Sequence, residues 1–502
     1  MIMDYSHFKS GSDIRGIALG DENDKLYMSD EMIMRSVSAF YDFMVNKCGK
    51  TKFRVAVGHD SRLSAGRIKA DAVRVMLSYG CDVIDCGLCT TPAMFMTTVT
   101  AGCDCSVQIT ASHHPKDRNG LKFFTREGGL DGGDIASILK NASEKSVFLG
   151  DKEGIYSEIN YLSEYAGILR KMIIDGVGKG ERPLEGLKII VDAGNGVGGF
   201  YATDVLAPLG ADIEGSLYLE PDGSFPNHAP NPENAEAMKC ITDATISSGA
   251  DFGVIFDTDV DRAACVGKGG FSINRNRLVA LASKVALDSC PGGTIVTDSV
   301  TSDGLAQFIK NNGGVHLRFK RGYRNVINKQ IELCEAGVEC PLAMETSGHA
   351  AFRENYFLDD GAYLITKLII EAAALSKEGR SLEDLIAGLP EPVEEKELRF
   401  KILTDDFRPE GEKIISLFTS EAENHGGWTA APDNYEGIRI NCEDGKGWFL
   451  LRLSVHDPII VLNCESDEEG GVLKICRQVY DTIIKADNIE KIDIGALTEF
   501  IK

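Results

Sequence analysis

The sequence predicts an α/β protein with three related α/β domains, whose sheets are mixed or parallel, and a smaller C-terminal α+β domain. The chain has 502 residues, which suggests three or four domains of ordinary size. A unit made of a β-branched strand, a polar turn with Asp and a helical pattern occurs three times. The C-terminal part instead alternates several strand-like runs with two helices, as α+β domains do.

Each repeated unit places its helical pattern directly after its strand. The strand and helix of each unit are 53–60 with 64–77, 187–192 with 194–209, and 293–298 with 302–311. Continuous apolar strands that alternate with helices are typical of parallel, doubly wound sheets. The repetition therefore predicts three domains of one design.

Breaks in composition divide the chain into four predicted domains. A Gly-rich linker at 176–183 follows a long helix predicted over 156–174, a second Gly-rich break lies at 267–270, and an acidic run with proline lies at 389–395. We therefore expect domains at 1–180, 181–269, 270–395 and 396–502. In the last domain we expect strands at 437–441, 448–453 and 459–463 and helices at 405–424 and 471–486.

The charge balance limits the partners of the protein. Lys and Arg number 53 against 76 Asp and Glu, so the formal net charge is −23. Such a chain repels nucleic acid and anionic membrane surfaces, although it can bind a small anion where cations cluster. Residues 1–20 lack the apolar core of a signal peptide, and no apolar run is long enough to span a bilayer. The 14 Cys have no regular spacing, which argues against a framework of disulfide bonds. We therefore expect reduced thiols and a cytoplasmic protein.

The strongest single motif is 257–262 (DTDVDR), which directly follows the apolar strand predicted at 252–256. Alternate side chains of an extended segment share a face, so its three carboxylates can converge. Oxygen ligands of this kind select Mg²⁺, Mn²⁺ or Ca²⁺. An EF-hand is excluded, because Arg262 and Lys268 stand where that loop needs Gly and Glu. A solvated acidic turn is the alternative, but the position after a strand favours a metal site.

A second motif is 109–115 (ITASHHP), in which Ser112 lies between an apolar strand and a proline-bounded turn. We expect its hydroxyl to be exposed on a tight loop, where a base or a metal could activate it as a nucleophile. His113 and His114 suggest a Ser-His pair, but adjacent residues rarely direct their side chains at each other. A turn-forming serine without chemistry is the alternative.

Two weaker patterns suggest other chemistry. The run 194–199 (GNGVGG) matches G-x-G-x-x-G between a strand and a helix, with Glu214 at the spacing of a ribose-binding acid. The other two units lack such a turn, so close packing of strand and helix is the alternative reading. A zinc site is the second possibility, although the spacing of its second cysteine pair does not match common zinc folds. The cysteines concerned are Cys86, Cys89, Cys103 and Cys105.

Two later segments suit ligand binding. The run 344–349 (METSGH) places an acid, a hydroxyl and an imidazole around a glycine, which suits the recognition of a polyol. The run 452–458 (RLSVHDP) places Arg, Ser and His in one turn, which suits an anion. An ordinary polar turn and a hairpin corner are the respective alternatives.

Taken together, the motifs resemble those of the α-D-phosphohexomutases, the phosphoglucomutase/phosphomannomutase family. The family patterns Y-D-I-R-G, T-A-S-H-N-P, D-G-D-x-D-R, E-x-S-G-H and R-x-S-G-T-E-P resemble, in order, 12–16, 110–115, 257–262, 345–349 and 452–458. Five motifs in the correct order are highly specific. The resemblance implies four domains around one central cleft, each supplying a loop, and a structural role for the loop at 194–199.

The resemblance also implies a mechanism and its residues. Ser112 would carry a phosphoryl group, donate it to a hexose monophosphate, and take the other phosphoryl group back from the resulting hexose 1,6-bisphosphate. Mg²⁺ would be held by a phosphoserine oxygen of Ser112 and by Asp257, Asp259 and Asp261. Arg15 and Arg262 would add positive charge, and Lys122 is the candidate general acid or base. Substrate binding falls to Arg324, Glu345, Ser347, His349, Arg452, Ser454 and His456.

The sequence departs from the family pattern in two of these motifs. Ser12 replaces the usual Tyr, and Val455, His456 and Asp457 replace Gly, Thr and Glu of the phosphate loop. A β-branched Val disfavours the positive φ that Gly permits, so we expect a different loop backbone. A protonated His456 would give phosphate a charge-assisted hydrogen bond, and substrate affinity is then expected to weaken as pH rises through its titration.

The substrates expected from the resemblance are glucose phosphates, mannose phosphates or both, with a hexose 1,6-bisphosphate as activator. A phosphoglucosamine or N-acetylglucosamine-phosphate mutase is the alternative within the family, because Thr346 does not distinguish these sugars. An NAD(P)-dependent oxidoreductase and a silent sugar-phosphate-binding protein are the alternatives from other classes. The intact Ser112 and carboxylate motifs argue against the silent protein.

Overall fold

The computed structural model describes residues 4–146, 148–178, 180–404, 406–454 and 457–502. The chain forms two compact units. The first contains Met1–Ala286 and Ser347–Ala387, and the second contains Leu287–Thr346 and Gly388–Lys502. The predicted class, α/β domains followed by a sheet-rich C-terminal domain, is confirmed.

The N-terminal part of the first unit is built on an eight-stranded mixed sheet. Its strands are β1 (Lys9–Ser10), β2 (Asp13–Ile17), β3 (Arg54–His59), β4 (Asp82–Leu88), β5 (Cys105–Ile109), β6 (Arg118–Thr125), β7 (Gly128–Gly129) and β8 (Tyr156–Glu158). The order is β1-β2-β6-β5-β3-β4-β8, with β7 beside β6. The helices are α1 (Asp30–Cys48), α2 (Ala65–Ser78), α3 (Thr91–Thr100), α4 (Gly132–Glu144) and α5 (Tyr161–Val177).

Helix α1 shows how local sequence sets these elements. The Ser29 hydroxyl accepts a hydrogen bond from the backbone N–H of Met32, and the helix ends at Gly49 in the left-handed conformation. Its apolar face packs on the sheet, where the rings of Phe40 and Phe123 stack with centroids 4.3 Å apart. Burial of such faces supplies most of the stability of the layer.

The rest of the first unit contains a four-stranded sheet in the order β12-β11-β10-β9. Its strands are β9 (Ile189–Asp192), β10 (Phe252–Phe256), β11 (Ala263–Gly267) and β12 (Ser272–Ile273), followed later in the chain by the antiparallel pair β16 (Ala350–Phe352) and β17 (Leu358–Asp359). The helices are α6 (Ala235–Ser248) and α10 (Gly361–Ser376), and a π-helix spans Tyr201–Leu206. The chain passes to the second unit within α7 (Asn276–Ser289).

The second unit combines parallel strands β14-β13-β15 with a six-stranded sheet, β19-β20-β21-β22-β18-β23. The strands are β13 (Thr294–Thr297), β14 (Val315–Arg318), β15 (Leu342–Met344), β18 (Glu394–Ile402), β19 (Trp428–Ala430), β20 (Ile438–Cys442), β21 (Gly447–Leu453), β22 (Ile459–Ser466) and β23 (Ile492–Asp493). The helices are α8 (Asp303–Asn311), α9 (Tyr323–Glu335), α11 (Phe407–Ala422), α12 (Gly471–Ile483) and α13 (Gly495–Phe500).

Two predicted helices are wrong in extent. The helix expected over 156–174 is strand β8 followed by α5, because the Asn160 side chain caps the helix and residues 156–158 pair with β4. The helix expected over 194–209 has its first turns replaced by an irregular glycine loop, and the π-helix follows it. In that loop the backbones pack so closely that a Cβ on Gly199 would lie 2.1 Å from the carbonyl oxygen of Leu219.

Strand register brings the functional loops to one edge of the first sheet. Strands β3 and β5 run parallel with His59 opposite Ile109, and the backbone N–H of Asp60 donates to the carbonyl of Ile109. The loops that follow these strands therefore start side by side, as expected at the carboxyl ends of parallel strands. The backbone N–H of Thr91, which follows β4, donates to the carbonyl of Asp259 at 2.9 Å. This bond brings the acidic loop to the same edge.

The cysteines and helices bear on two further expectations. All fourteen cysteines are free thiols. Within the described part of the chain, none of the helices is both long and apolar enough to cross a membrane.

Candidate active site

Ser112 lies in the loop after β5, and its side chain is fully buried. The expectation of an exposed hydroxyl is therefore wrong, because the acidic loop that follows β10 covers it. The Ser112 hydroxyl donates a hydrogen bond to Asp257 Oδ2 at 2.7 Å. Its backbone has a φ of 52°, and its N–H donates to the Thr110 hydroxyl at 2.8 Å. A non-glycine residue in this region is strained and is held only where its surroundings require it.

The acidic loop at 257–262 brings three buried carboxylates together. Oxygens of Asp257, Asp259 and Asp261 lie within 4.8 Å of one another. The loop turns at Val260, whose φ is 67°. Thr91 holds the middle of the loop, since its hydroxyl donates to Asp259 Oδ2 and its backbone N–H donates to the Asp259 carbonyl.

Burial and mutual repulsion perturb these carboxylates. Burial, together with the charges of Asp261 and Asp259, raises the pKa of Asp257 well above its ordinary value. Burial also acts to raise the pKa of Asp261, but the ammonium of Lys122 and other neighbouring cations hold it below the ordinary value. Without a bound cation the carboxylates therefore repel one another, and Asp257 holds a proton more tightly than an ordinary aspartate does.

The residues present fit a divalent cation. Asp259 Oδ1 and Asp261 Oδ1 are buried and accept no hydrogen bond from any described residue. A buried carboxylate oxygen without a partner is costly, and a hard cation that prefers oxygen ligands would remove this cost. Among the described residues a second group, Asp261 with His349 and Asp359, also converges, and neither group includes a cysteine. The zinc reading of the cysteines thus has no support in the geometry.

Two predicted cationic residues come from adjacent antiparallel strands of the first sheet. Lys122 on β6 is buried, forms an ion pair with Asp261, and lies 3.8 Å from Asp259. Arg15 on β2 pairs with Asp13 at 2.8 Å and lies opposite Gly120 in the sheet register. The structure thus places Lys122 at the acidic cluster and Arg15 on the neighbouring strand.

Arg262 lies beside the acidic cluster and forms a hydrogen bond with His349. Arg262 Nε donates to His349 Nε2 at 2.9 Å and lies 3.9 Å from Asp257 Oδ2. Burial and the nearby guanidinium lower the pKa of His349 to about 3, so its ring is neutral. The second ring nitrogen, Nδ1, lies 3.2 Å from Asp359 Oδ2. In this arrangement His349 orients Arg262.

Five of the predicted substrate-binding positions can be placed in the second unit or at its boundary. Glu345 accepts a hydrogen bond from the backbone N–H of Gly322 at 2.6 Å, and Arg324 lies in the first turn of α9. Arg452, on β21, and Ser454, which follows that strand, begin the predicted phosphate loop. The buried Ser347 hydroxyl, at the start of the next segment of the first unit, has no hydrogen-bond partner among the described residues.

The buried guanidinium of Arg452 suits an anion. Its Nε makes no hydrogen bond within the described chain, and its Nη1 lies 3.9 Å from Glu436 Oε1. Glu436 Oε2 instead accepts from the Ser299 hydroxyl at 2.6 Å and from the backbone N–H of Arg321 at 3.0 Å. The predicted contacts of His456 and the altered backbone at Val455 lie outside the described residues.

Sequence reasoning missed several residues of these sites. The Thr91 hydroxyl donates a hydrogen bond to Asp259. Glu436 accepts hydrogen bonds from the Ser299 hydroxyl and from the backbone N–H of Arg321. The buried Asp298 accepts a hydrogen bond from the Thr346 hydroxyl. Thr91 and Asp298 carried a usable signal, because both follow a strand closely, where α/β proteins place sites. The role of Glu436 follows from long-range packing.

The glycine loop at 194–199 has a structural explanation. Gly194 has a φ of 52°, and a Cβ on Gly196 would lie 2.7 Å from the carbonyl oxygen of Thr258. Asp192 accepts from the backbone N–H of Gly194 at 2.9 Å and is bound by His228 Nε2 at 3.0 Å. The loop is therefore packed against the chain that leads into the acidic cluster, and it uses its glycines for close approach.

The His228–Asp192 pair predicts a pH-dependent stability. Burial acts to lower the pKa of His228, but the hydrogen bond and charge of Asp192 raise it overall above the ordinary value. The contribution of the pair is thus complete below the unfolded pKa and is lost as pH rises through the folded pKa. Between about pH 6 and pH 9 we expect wild type to lose more stability than His228→Gln. Urea unfolding of both proteins at each pH measures this, and parallel losses would contradict it.

The site combines a buried serine hydroxyl, a cluster of three carboxylates, and a lysine and an arginine beside them. This combination suits the transfer of a phosphoryl group, because that reaction needs alignment and charge neutralisation more than covalent assistance. The fold and site thus define a phosphoryl-transfer enzyme built from α/β domains. Phosphoglucomutase/phosphomannomutase alpha/beta/alpha domains I, II and III match residues 8–148, 171–270 and 274–393. The chain belongs to the phosphoglucomutase/phosphomannomutase family and is an enzyme that transfers phosphate intramolecularly.

Similar proteins extend this match over most of the chain. The sequence is 31% identical to the phosphomannomutase/phosphoglucomutase of Pseudomonas syringae pv. tomato, over 84% of this chain and 85% of that protein. It is 31% identical to the phosphoglucomutase of Neisseria gonorrhoeae, over 84% and 86%, and 27% identical to a probable phosphoglucosamine mutase of Methanopyrus kandleri, over 91% and 94%. A crystal structure of a family protein from Burkholderia thailandensis superposes with a TM-score of 0.76 at 27% identity, covering 96% and 97% of the two chains.

Proposed function

We propose that this enzyme interconverts the 1-phosphate and 6-phosphate of glucose, mannose or both. The observation that carries the proposal is the 2.7 Å hydrogen bond from the Ser112 hydroxyl to Asp257 within the buried carboxylate cluster. It puts the candidate nucleophile where a bound cation would neutralise an attached phosphoryl group. The names of the relatives, phosphomannomutase/phosphoglucomutase and phosphoglucomutase, support the choice of sugars.

The proposed reaction begins with phosphorylated Ser112. The bond between phosphorus and Ser112 Oγ breaks as phosphorus bonds to a free hydroxyl oxygen of the hexose monophosphate, and the proton of that hydroxyl leaves for a base. The hexose 1,6-bisphosphate then reorients. Its other phosphoryl group returns to Ser112 Oγ, and a proton is restored to the sugar oxygen that it leaves. Lys122, buried beside the cluster, is our candidate for the group that carries this proton.

The carboxylates of Asp257, Asp259 and Asp261 would hold Mg²⁺ together with an oxygen of the phosphoserine. Bound there, Mg²⁺ would supply neutralisation of the charge on the transferring phosphoryl group. Arg262, oriented by His349, and Arg15 add positive charge from the protein itself. These cations offset the net charge of −23 that would otherwise repel the substrate.

The remaining predicted residues are proposed to bind the sugar and its non-reacting phosphate. Ser347, whose buried hydroxyl has no partner among the described residues, and Glu345 suit sugar hydroxyls. Arg452, Ser454 and Arg324 suit the phosphate, with His456 as a further donor. The four-domain division at 180, 269 and 395 and a cytoplasmic location remain predictions.

A coupled mutase assay tests the proposal. Purified protein with Mg²⁺ and a catalytic amount of hexose 1,6-bisphosphate is given the 1-phosphates of glucose, mannose, glucosamine and N-acetylglucosamine in turn. We expect turnover with glucose or mannose phosphate. Preference for an amino sugar would select the alternative mutase, and no turnover with any of the four would contradict the proposal. Binding of NAD(P), followed by nicotinamide fluorescence, tests the oxidoreductase alternative.

Removing the Arg452 guanidinium is expected to weaken substrate binding. Arg452→Gln should raise KM for the hexose phosphate by about 100-fold, because a charge-assisted bond to phosphate is lost, and should change kcat much less. Arg399→Gln is the matched control, since Arg399 pairs with Glu397 and its side chain is 65% exposed. Steady-state kinetics of the three proteins measure the effect. A KM equal to that of wild type would remove Arg452 from the substrate site.

A further inference from the structure

Arg62 donates hydrogen bonds to backbone carbonyls of the loop that carries Ser112. It lies in the turn after β3, and only 2% of its surface is exposed. Its Nη1 donates to the carbonyls of Pro115 at 2.7 Å and Arg118 at 2.8 Å. Its Nη2 donates to the carbonyls of Ser112 and His114. One guanidinium therefore binds four carbonyl oxygens between residues 112 and 118.

The guanidinium is itself held in place. Its Nε donates to Asp60 Oδ2 at 3.2 Å, and the backbone N–H of Arg62 donates to Asp60 Oδ1 at 3.0 Å. The ring of Phe225 lies 5.4 Å from Cζ. The backbone at Gly223 packs so closely that a Cβ there would lie 2.4 Å from the carbonyl oxygen of Ser61. The four carbonyls, called the carbonyl set below, therefore bind a guanidinium whose position is fixed by its other contacts.

The loop needs such a partner for two physical reasons. Four carbonyl dipoles that point at one place repel each other and would be costly without a donor in a buried site. Ser112, at the start of the set, also has the strained positive φ of 52°. A planar guanidinium satisfies several acceptors in fixed directions, and neither a lysine ammonium nor water reproduces that geometry.

We propose that Arg62 is a positioning residue for the reaction, which fixes the backbone of the Ser112 loop so that the serine oxygen stays at the carboxylate cluster. The inference rests on the proposed role of Ser112. Because Arg62 is buried under carbonyls and an aromatic ring, it presents no surface to a substrate. Its loss therefore affects the catalytic step and not substrate binding.

The test compares Arg62→Lys with wild type by two readouts. We expect kcat to fall by about 100-fold or more, as for a misplaced nucleophile, with KM unchanged within about threefold. Hydrogen exchange of the amides of residues 112–118 should accelerate by about tenfold or more, with the rest of the chain unaffected. Arg67→Lys is the matched control, because Arg67 also binds a loop carbonyl, that of Met28, but not this loop. It should match wild type in both readouts.

Arg62→Ala adds a chemical rescue. Free guanidinium ion at a low, non-denaturing concentration should restore part of kcat without changing KM, whereas methylammonium should not. If the Lys and Ala variants do not fold, Asp60→Asn, which removes only the counter-ion of Arg62, is measured by the same two readouts with the same expected directions.

The outcomes separate this inference from the proposed function. Unchanged loop exchange, unchanged kcat, or a loss expressed only in KM would each overturn the inference. If wild type shows no mutase activity, the proposed function fails, and the exchange experiment alone then decides whether Arg62 holds the loop.

Discussion

Ser112→Ala is expected to lower kcat by at least about 10⁴-fold while leaving the fold intact, because it removes the only atom to which the phosphoryl group is proposed to be attached. The hydroxyl makes one described bond to a carboxylate, to Asp257 Oδ2, so its loss costs little packing. KM, where measurable, should change much less than kcat. The measurement is the coupled mutase assay with the preferred hexose phosphate.

A matched control separates chemistry from burial of a hydroxyl. Ser106 on β5 is also fully buried, and its hydroxyl donates to the carbonyl of Met94 at 2.8 Å. Ser106→Ala should cost about 1–3 kcal/mol of stability and retain most of the activity. Mass spectrometry should also find one phosphate on the Ser112 peptide of wild type and none on that of Ser112→Ala. Activity of Ser112→Ala near that of wild type would show that the nucleophile lies elsewhere.

Asp259→Asn is expected to have two effects of opposite sign. The change removes one of three negative charges from a buried cluster, so the metal-free protein should unfold at a higher temperature as repulsion falls. It also removes a charged ligand, so Mg²⁺ should bind more weakly and kcat should fall by about 10²–10⁴-fold. The amide oxygen can still accept the hydrogen bond from Thr91, which preserves the loop.

Calorimetry with and without Mg²⁺, and activity against Mg²⁺ concentration, measure the two effects. Asp243→Asn is the control, because Asp243 lies on an exposed helical face paired with Lys239. It should change neither metal dependence nor kcat. Unchanged magnesium dependence in Asp259→Asn would show that the cluster is not the metal site.

Features that depend on neighbours in the chain could be predicted without a structure. The strands and helices of the repeated units were predicted from their apolar periodicity, and the strands at 252–256 and 105–109 end where the acidic and serine motifs begin. Motifs such as 257–262 are also contiguous, so their chemistry is visible without a structure. The same local rules gave the wrong extent for the helix at 194–209, because close backbone packing there outweighs helical periodicity.

The way in which distant segments meet could not be predicted from local sequence and is visible only in the folded chain. Ser112 and Asp257 are 145 positions apart, and Thr91 and Asp259 are 168 apart. Such contacts are set by strand register and by the packing of one loop on another, and no local propensity encodes them. For this reason the burial of Ser112 contradicts its expected exposure, and the carbonyl set around Arg62 has no signature in the sequence. The residue types that can do the chemistry are visible in contiguous motifs of the sequence. Their convergence and burial arise from long-range packing.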